Sequence, residues 1–513
     1  MLSDALPIGV LIVAASHFAY ASPVVAPDPM VTPSLVRYDP TRTFERRNII
    51  SDLAGDVNSV LSELGNVPSY VASGIPDFFQ NFPTGGAVVS SLGLNDEQLA
   101  ALPTQVLNLP PYANWTGQNW NVRFHGNVYK QPNTSREQLD DLANIFLIDT
   151  SVEELPPSQA DQARNLTASI FVVQQGDLNV TMHIEPAPLA GSSGESGGGG
   201  AVTPNGGTQN LTLPYPTTDQ GDYDVFLPIQ ELGLTPGNQA TQIQRLNVYA
   251  QAQGAMGSNQ TNIGNATAYL VPPTGLTIVS DIDDILRVTK IYQPKEGLLN
   301  SFARPFTPWM NMPDIYANWS RSIPDFHFHY LTTTPEQATR NYMDFIYKTY
   351  PGGSFDTRPL NFSDIEATLS IRQYLLTKVF ETFPTRKFIL VADTSNSDVM
   401  KDYPQLAHDF PNQVQCIFLR NTSATDPGDK FPYDTSGFEG LPQNKYMFFK
   451  VPDDLTRLDI VNGQCYNGSI PQNVTFGVQD EVLGIHGSGA GMVGVGGLMG
   501  SVLSLAVAVW LVL

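Results

Sequence analysis

The sequence predicts two unlike folds in tandem, a β-rich sandwich-like domain followed by an α/β domain built on a parallel sheet. Two observations carry this. Over residues 119–273, short apolar runs separated by Gly, Asn and Pro recur without helical spacing. From Gly275 onward, strand-like runs alternate with amphipathic helical segments, the rhythm of strands joined by helical crossovers.

In chain order, residues 1–21 read as a signal peptide. They hold an apolar run and the small-x-small site Ala19-Tyr20-Ala21, although Asp4 stands where a cation is usual. Residues 22–114 form a Pro-rich and helical N-terminal region. Within it, Ile49, Ile50, Leu53, Val57, Val60, Leu61 and Leu64 share one helical face, suited to docking on a core or touching lipid. The β-rich domain spans 115–274 with a flexible Gly/Ser insertion at 190–209; its strands include 121–129, 168–174, 224–229, 245–250 and 267–271. The α/β domain spans 275–475. Its strands are expected at 276–279, 326–331, 387–391 and 414–419, and its helices at 336–350, 364–383 and 397–410. Thr334-Pro335-Glu336-Gln337 and Ser363-Asp364-Ile365-Glu366 are helix-start signatures. A linker, 476–491, leads to an uncharged hydrophobic stretch, 492–513. With small residues around Ser488 before it, this suits a cleaved GPI-attachment signal with Ser488 as anchor; a transmembrane helix is the alternative.

Across the 513 residues the formal net charge is -22, which excludes a phosphate-backbone partner: no nucleic acid is expected. Such a surface is repelled by anionic lipid, so membrane contact must be local or through an anchor. Twelve Asn-x-Ser/Thr sequons, at Asn114, Asn133, Asn165, Asn179, Asn210, Asn259, Asn265, Asn318, Asn361, Asn421, Asn467 and Asn473, agree with a secreted, glycosylated, cell-surface protein. Cys416 and Cys465 are the two cysteines; a disulfide is the default in an oxidising compartment, two buried thiols the alternative.

Ligands of open α/β sheets bind beyond the carboxyl ends of the strands. Three expected strands end in groups suited to phosphate and a hard cation. The first runs into Asp281-Ile282-Asp283-Asp284, two carboxylates two residues apart. The second ends in Thr332-Thr333-Thr334-Pro335, hydroxyls at a helix N-terminus whose free N–H groups favour an anion. The third ends in Asp393 to Asp398, adding carboxylates for a hard cation. Each alone is an ordinary loop or cap; their order, each directly after an apolar strand, makes them one site. His327 and His329 read as part of a strand face, Asp284 as a loop brace. Phe306, Trp309 and Trp319 line either a lipid path or the core.

Val279-Ser-Asp-Ile-Asp-Asp284 resembles the first motif of the haloacid dehalogenase superfamily in the form seen in App1-type phosphatidate phosphatases. Thr332-Thr-Thr-Pro335, Phe383-Pro-Thr-Arg-Lys-Phe-Ile-Leu390, Asp393-Thr-Ser-Asn-Ser-Asp398 and Cys416-Ile-Phe-Leu-Arg420 are similar to that family's later segments. The resemblance covers residues 275–458. It implies a haloacid dehalogenase-like Rossmannoid domain hydrolysing phosphatidate or a related lipid phosphomonoester through a phospho-aspartate. Asp281 would be the nucleophile and Asp283 the general acid/base. Mg2+ would be held by Asp281, Asp283 through its carbonyl, Asp393 and Asp398. Thr332 and Arg372 would bind phosphate. Departures from the pattern are Ile285 for Thr or Val, Ala392 for Gly, and Arg372 for the usual Lys, a swap that is not neutral. The competing readings are a phosphatase of a soluble phosphomonoester, and a non-catalytic surface glycoprotein retaining the fold.

Overall fold

The computed structural model describes residues 85–472 except 86–87, 90–91, 145, 148, 188–207, 231–232, 254–262, 291–292, 324, 359–364, 396 and 427–434. The expected leader, the helical face at 49–64, most of the Gly/Ser insertion, Ser488 and the hydrophobic tail lie outside the described residues. Among the described residues, no helix is long and apolar enough to cross a membrane.

The first domain is organised by β3 (Trp120–Lys130), after α1 (Asp96–Ala101), β1 (Thr104–Asn108) and β2 (Tyr112–Trp115). On one edge β3 pairs with β2 through its first residues and β1 through its last; both begin before residue 115, so the sheet starts earlier than the sequence suggests. On the other edge it pairs along residues 121–127 with β7 (Asp222–Pro228). The sheet is completed by β4 (Val173–Gln174), β5 (Asn179–Pro186), β6 (Gln209–Thr212), β8 (Gln244–Gln253) and β9 (Gly264–Val271). Its main path runs β1-β3-β2-β9-β8-β5-β6, antiparallel except for β2 against β9. Gly126 marks the closest approach, since a Cβ there would lie 2.0 Å from the Leu107 carbonyl oxygen. Two helices, α2 (Arg136–Asn144) and α3 (Pro157–Ile170), separate β3 from β4. Here the strand expected at 168–174 is corrected: α3 occupies its first half. Ala160, Ala163, Leu166, Thr167 and Ile170 recur at helical spacing on its buried face, and Pro sits at its start. That face outweighs the β-branched residues near its end.

The second domain is a six-stranded sheet, parallel throughout. Its strands are β10 (Leu276–Ser280), β11 (His327–Pro335), β12 (Ser354–Arg358), β13 (Lys387–Asp393), β14 (Val414–Arg420) and β15 (Tyr446–Phe449). They lie in the order β12-β11-β10-β13-β14-β15. Between them run α4 (Pro294–Phe302), α5 (Met312–Ser322), α6 (Glu336–Thr349), α7 (Ile365–Thr382) and α8 (Ser397–Asp409). Strand residues alternate between two cores. Ile278, Phe328, Ile389 and Phe418 face Tyr316 of α5 and Ile346 of α6. Val279, Leu331, Leu390 and Leu419 face Leu376 of α7 and Tyr403 of α8. Both faces are thus covered, which is why these strands are almost continuously apolar. The order reverses direction between β10 and β13, and the crevice beyond their carboxyl ends is where such sheets bind ligands.

Two polar devices join the domains. Fully buried Arg386 donates Nε to Thr277 Oγ1 (2.7 Å), Nη1 to the carbonyls of Pro272 (2.9 Å) and Thr274, and Nη2 to those of Leu276 (2.8 Å) and Asp325. It clamps the 272–276 junction, where Gly275 takes φ +112°. Arg123 of β3 bridges Asp224 of β7 at 2.9 Å and Asp356 of β12 at 2.5 Å, and Lys378 of α7 reaches Asp224 at 2.7 Å. A disulfide joins Cys416 of β14 to Cys465.

Candidate active site

β10 delivers its last residues into the crevice. The Asp281 N–H donates to the Val391 carbonyl at 2.8 Å, so pairing with β13 holds its backbone. Its side chain is 4% exposed; Oδ1 accepts from the Ile282 N–H at 2.9 Å, and Oδ2 lies 3.2 Å from Arg372 Nη2. Burial pushes this carboxyl up to about 6, against the attraction of Arg372 and with the repulsion of Asp283. Arg372 itself is 1% exposed and comes from α7. Lys378, on the same helix, faces Asp224 at the domain boundary instead.

Past Asp281 the chain folds back on itself. Asp284 adopts a left-handed conformation (φ 56°), and its Oδ1 accepts the N–H groups of Thr289 (3.2 Å) and Lys290 (2.9 Å). It braces the loop, and its carbonyl accepts from Arg420 Nη1. The turn brings Arg287 and Thr289 onto Asp283 Oδ1. Arg287 Nε donates at 2.9 Å, its Nη2 lies 2.7 Å away, and Thr289 Oγ1 donates at 2.7 Å.

Thr332 is 2% exposed near the end of β11, where pairing with β12 is irregular between Leu331 and Pro335. Its Oγ1 accepts from the Thr334 N–H at 3.1 Å, immediately before α6 begins. Thr357 Oγ1 donates to the Thr334 carbonyl at 2.6 Å, so β12 also holds this turn.

Asp393 ends β13. Its Oδ1 accepts from Ser395 N–H (2.8 Å), Ser395 Oγ and Thr422 Oγ1 (3.3 Å). Its Oδ2 is buried without a hydrogen-bond partner. Burial, followed by the charges of Asp284 and Asp281, pushes the Asp393 carboxyl well above the usual range. A buried, unpaired carboxylate oxygen beside other carboxylates is a site that a hard cation would relieve. Among the described residues no three His, Cys, Asp or Glu side chains converge as a ready cage. Mg2+ needs none, since it binds through one or two carboxylates and keeps several waters. Asp398 lies in the first turn of α8, and its side chain is outside the described residues.

The crevice therefore gathers Asp281, Asp283, Arg372 and Asp393, with Thr332 at the end of the adjacent strand. Three groups were not singled out from the sequence: Arg287, Thr289 and Arg420. The offsets of four and six from Asp283 are visible in the chain, but the left-handed turn that makes them converge is not. His327 and His329 turn away from this chemistry. Both bond Ser354 Oγ, at 2.9 and 2.8 Å, and burial holds both rings neutral, pushing His329 down to about 4. Phe306 and Trp309 cover cations: the guanidinium of Arg287 lies 4.5 Å from the Phe306 ring centre, that of Arg420 4.3 Å from Trp309. Trp319 stacks on Tyr316 in the core.

Residues 276–421 match the model of a family described as "Phosphatidate phosphatase APP1, catalytic domain". The chain is 27% identical over 160 residues to phosphatidate phosphatase APP1 of Saccharomyces cerevisiae, covering 30% of this chain and 27% of that protein. It thus spans about a quarter of the curated relative's length. Two solved structures, Bacteroides uniformis beta-glucuronidase and beta-glucuronidase 2 from the same organism, align over 63% of this chain and 36% of theirs. Their identity is 10% and their TM-score 0.20, too low to inform the fold.

Proposed function

We propose that this protein hydrolyses phosphatidate or a related lipid phosphomonoester, a reading supported by the match of residues 276–421 to the App1 catalytic-domain model and by the similarity to a yeast phosphatidate phosphatase. The observation that carries the reading is Asp281. It is a buried carboxylate at a strand end, with one oxygen beside Arg372 and a second carboxylate, Asp283, two residues on. We read the domain as haloacid dehalogenase-like, which its parallel sheet and strand order support.

In the first step an Asp281 oxygen attacks phosphorus while the bond from phosphorus to the leaving oxygen breaks. The electron pair stays on the leaving oxygen, which takes a proton from the Asp283 carboxyl and departs as the alcohol. In the second step Asp283 takes a proton from water as its oxygen attacks phosphorus. The acyl phosphate bond breaks, its electron pair returns to Asp281, and inorganic phosphate is released. Arg372 and the N–H groups at the start of α6, with Thr332, compensate the phosphoryl charge. Asp281, Asp393 and the carbonyl of Asp283 would hold Mg2+, which supplies charge neutralisation on the transferring group.

We also propose a secreted, lipid-anchored glycoprotein. Asn133, Asn165, Asn179, Asn210, Asn265 and Asn318 are exposed sequons. Asn421 is a poor acceptor, buried with its Oδ1 engaged by Ser423 Oγ and the Ala424 N–H.

The test is phosphate release from phosphatidate micelles and from a soluble phosphomonoester, with Mg2+ and with EDTA. Wild type should release phosphate from phosphatidate only with Mg2+. Asp281→Asn should lose at least ~10^3 of that rate, as removal of a nucleophile does. Near wild-type activity in Asp281→Asn overturns the mechanism; turnover of the soluble ester alone overturns the lipid substrate.

A further inference from the structure

Every described contact to the Asp283 side chain falls on one oxygen. Arg287 Nε and Nη2 lie 2.9 and 2.7 Å from Oδ1, Thr289 Oγ1 donates to it at 2.7 Å, and no described residue donates to Oδ2. The side chain keeps 9% of its exposure. Arg287 is locked in turn. Nη1 donates to the Asn300 carbonyl (3.3 Å) and Nη2 to Ser301 Oγ (3.1 Å) and Tyr342 Oη (2.7 Å). The Phe306 and Tyr342 rings lie 4.5 and 4.2 Å from its guanidinium carbon. Its backbone bridges both Asp283 and Pro308. At 1% exposure it has no surface to offer a substrate.

We propose that Arg287 and Thr289 are positioning residues for proton transfer. By saturating Oδ1 they leave Oδ2 as the one oxygen of Asp283 that carries the proton to the leaving group. The planar fork of Arg287 fixes the rotation of the carboxyl as well as its location. This rests on the hydrolase reading, in which Asp283 protonates the leaving oxygen while phosphorus is transferred to Asp281.

The chemistry supplies a readout that a structural role does not. An alkoxide is a poor leaving group and needs the proton; p-nitrophenolate leaves readily without it. A misaligned Asp283 therefore slows phosphoryl transfer from an alkyl phosphate far more than from p-nitrophenyl phosphate. The comparison is made on kcat/KM, which reports the first transfer and not the later release of phosphate.

The experiment measures kcat/KM for short-chain phosphatidate and p-nitrophenyl phosphate in wild type, Arg287→Gln, Arg287→Lys and Thr289→Val, alongside thermal melting. General acid catalysis is worth about 10^2 to 10^4 in rate, so Arg287→Gln should lose about 10^2 or more on phosphatidate and less than tenfold on the aryl ester. Arg287→Lys should recover part of the difference. Thr289→Val keeps the backbone N–H on Asp284 and removes one donor, so a selective loss of roughly tenfold is expected even if Arg287→Gln fails to fold. Equal losses on both esters in folded variants, or no loss in Thr289→Val and Arg287→Lys, overturn the proposal. If wild type cleaves neither ester, the hydrolase reading falls first; Asp281→Asn, inactive on both, separates that failure from this one.

Discussion

Replacing Arg386 by Met tests whether the joint between the two domains is held by one side chain. Met keeps an apolar stem of similar length and removes all five N–H donors at once. The Pro272, Thr274, Leu276 and Asp325 carbonyls and the Thr277 hydroxyl lose their donors in a region where Arg386 is fully buried. At about 1 kcal/mol for each group left without its donor, the sum is about 5 kcal/mol. That is a large fraction of the 5–15 kcal/mol typical of folded proteins. In urea, with a slope near ~2 kcal/mol/M, the unfolding midpoint should fall by about 2.5 M with the slope unchanged. Arg386→Lys, with three donors and no planar fork, should fall between the two. The clamp lies at the amino-terminal end of β10, so turnover per folded molecule should stay near wild type. A midpoint within roughly 0.5 M of wild type would refute the clamp, since five lost bonds cannot leave so small a trace. Lost turnover at unchanged stability would instead make Arg386 part of the site.

Further outcomes follow from other contacts. Arg372→Ala, which removes the cation 3.2 Å from Asp281, should lower kcat/KM by ~10^2 or more, while Arg372→Lys keeps the charge and most activity; equal rates in all three would place Arg372 outside the chemistry. Asp222 and Glu336 form a buried acid pair. Burial pushes Asp222 up to about 7 and Glu336 well above the usual range. The native state therefore keeps protons that the unfolded chain loses above about pH 4, and stability should fall as pH rises from there through 7. Asp222→Asn should flatten that slope in urea titrations between pH 5 and about 8; an unchanged slope would exclude the pair as its source. Cys465→Ser opens a loop closed across 49 residues and should cost about 4 kcal/mol in the chain-entropy account, read as a lowered melting temperature equal to that of reduced wild type. Deleting residues 492–513 should give a freely secreted, glycosylated form, whereas a cytosolic and unglycosylated product would sink both the signal and the anchor.

Periodicity made the second domain legible. Val279, Leu331 and Leu390 sit in apolar runs buried on both faces, and the helical segments between them carry one apolar stripe each. Strand ends made the carboxylates legible too, because Asp281 and Asp393 directly follow those runs and backbone pairing carries them into one crevice. Arg372 is legible only through the family resemblance, since its contact with Asp281 spans 91 residues of sequence.

What the sequence by itself determined is local: the change of period near residue 275, the start of α6 directly after Pro335, and acidic residues directly after buried strands. These depend on spacing within a few residues, where geometry is set by the backbone. Only the tertiary structure decided where long-range polar contacts form. Arg123 meets Asp356 across 233 residues, and Arg386, which reads only as part of a family motif, clamps the domain joint. It also decided that 157–170 is a helix, since its small residues bury against neighbours that the local sequence does not reveal. The grip of Arg287 and Thr289 on a single oxygen of Asp283 is short-range in sequence. It nevertheless depends on the left-handed backbone at Asp284, a conformation disfavoured for any residue with a Cβ and held by the hydrogen bonds the fold supplies.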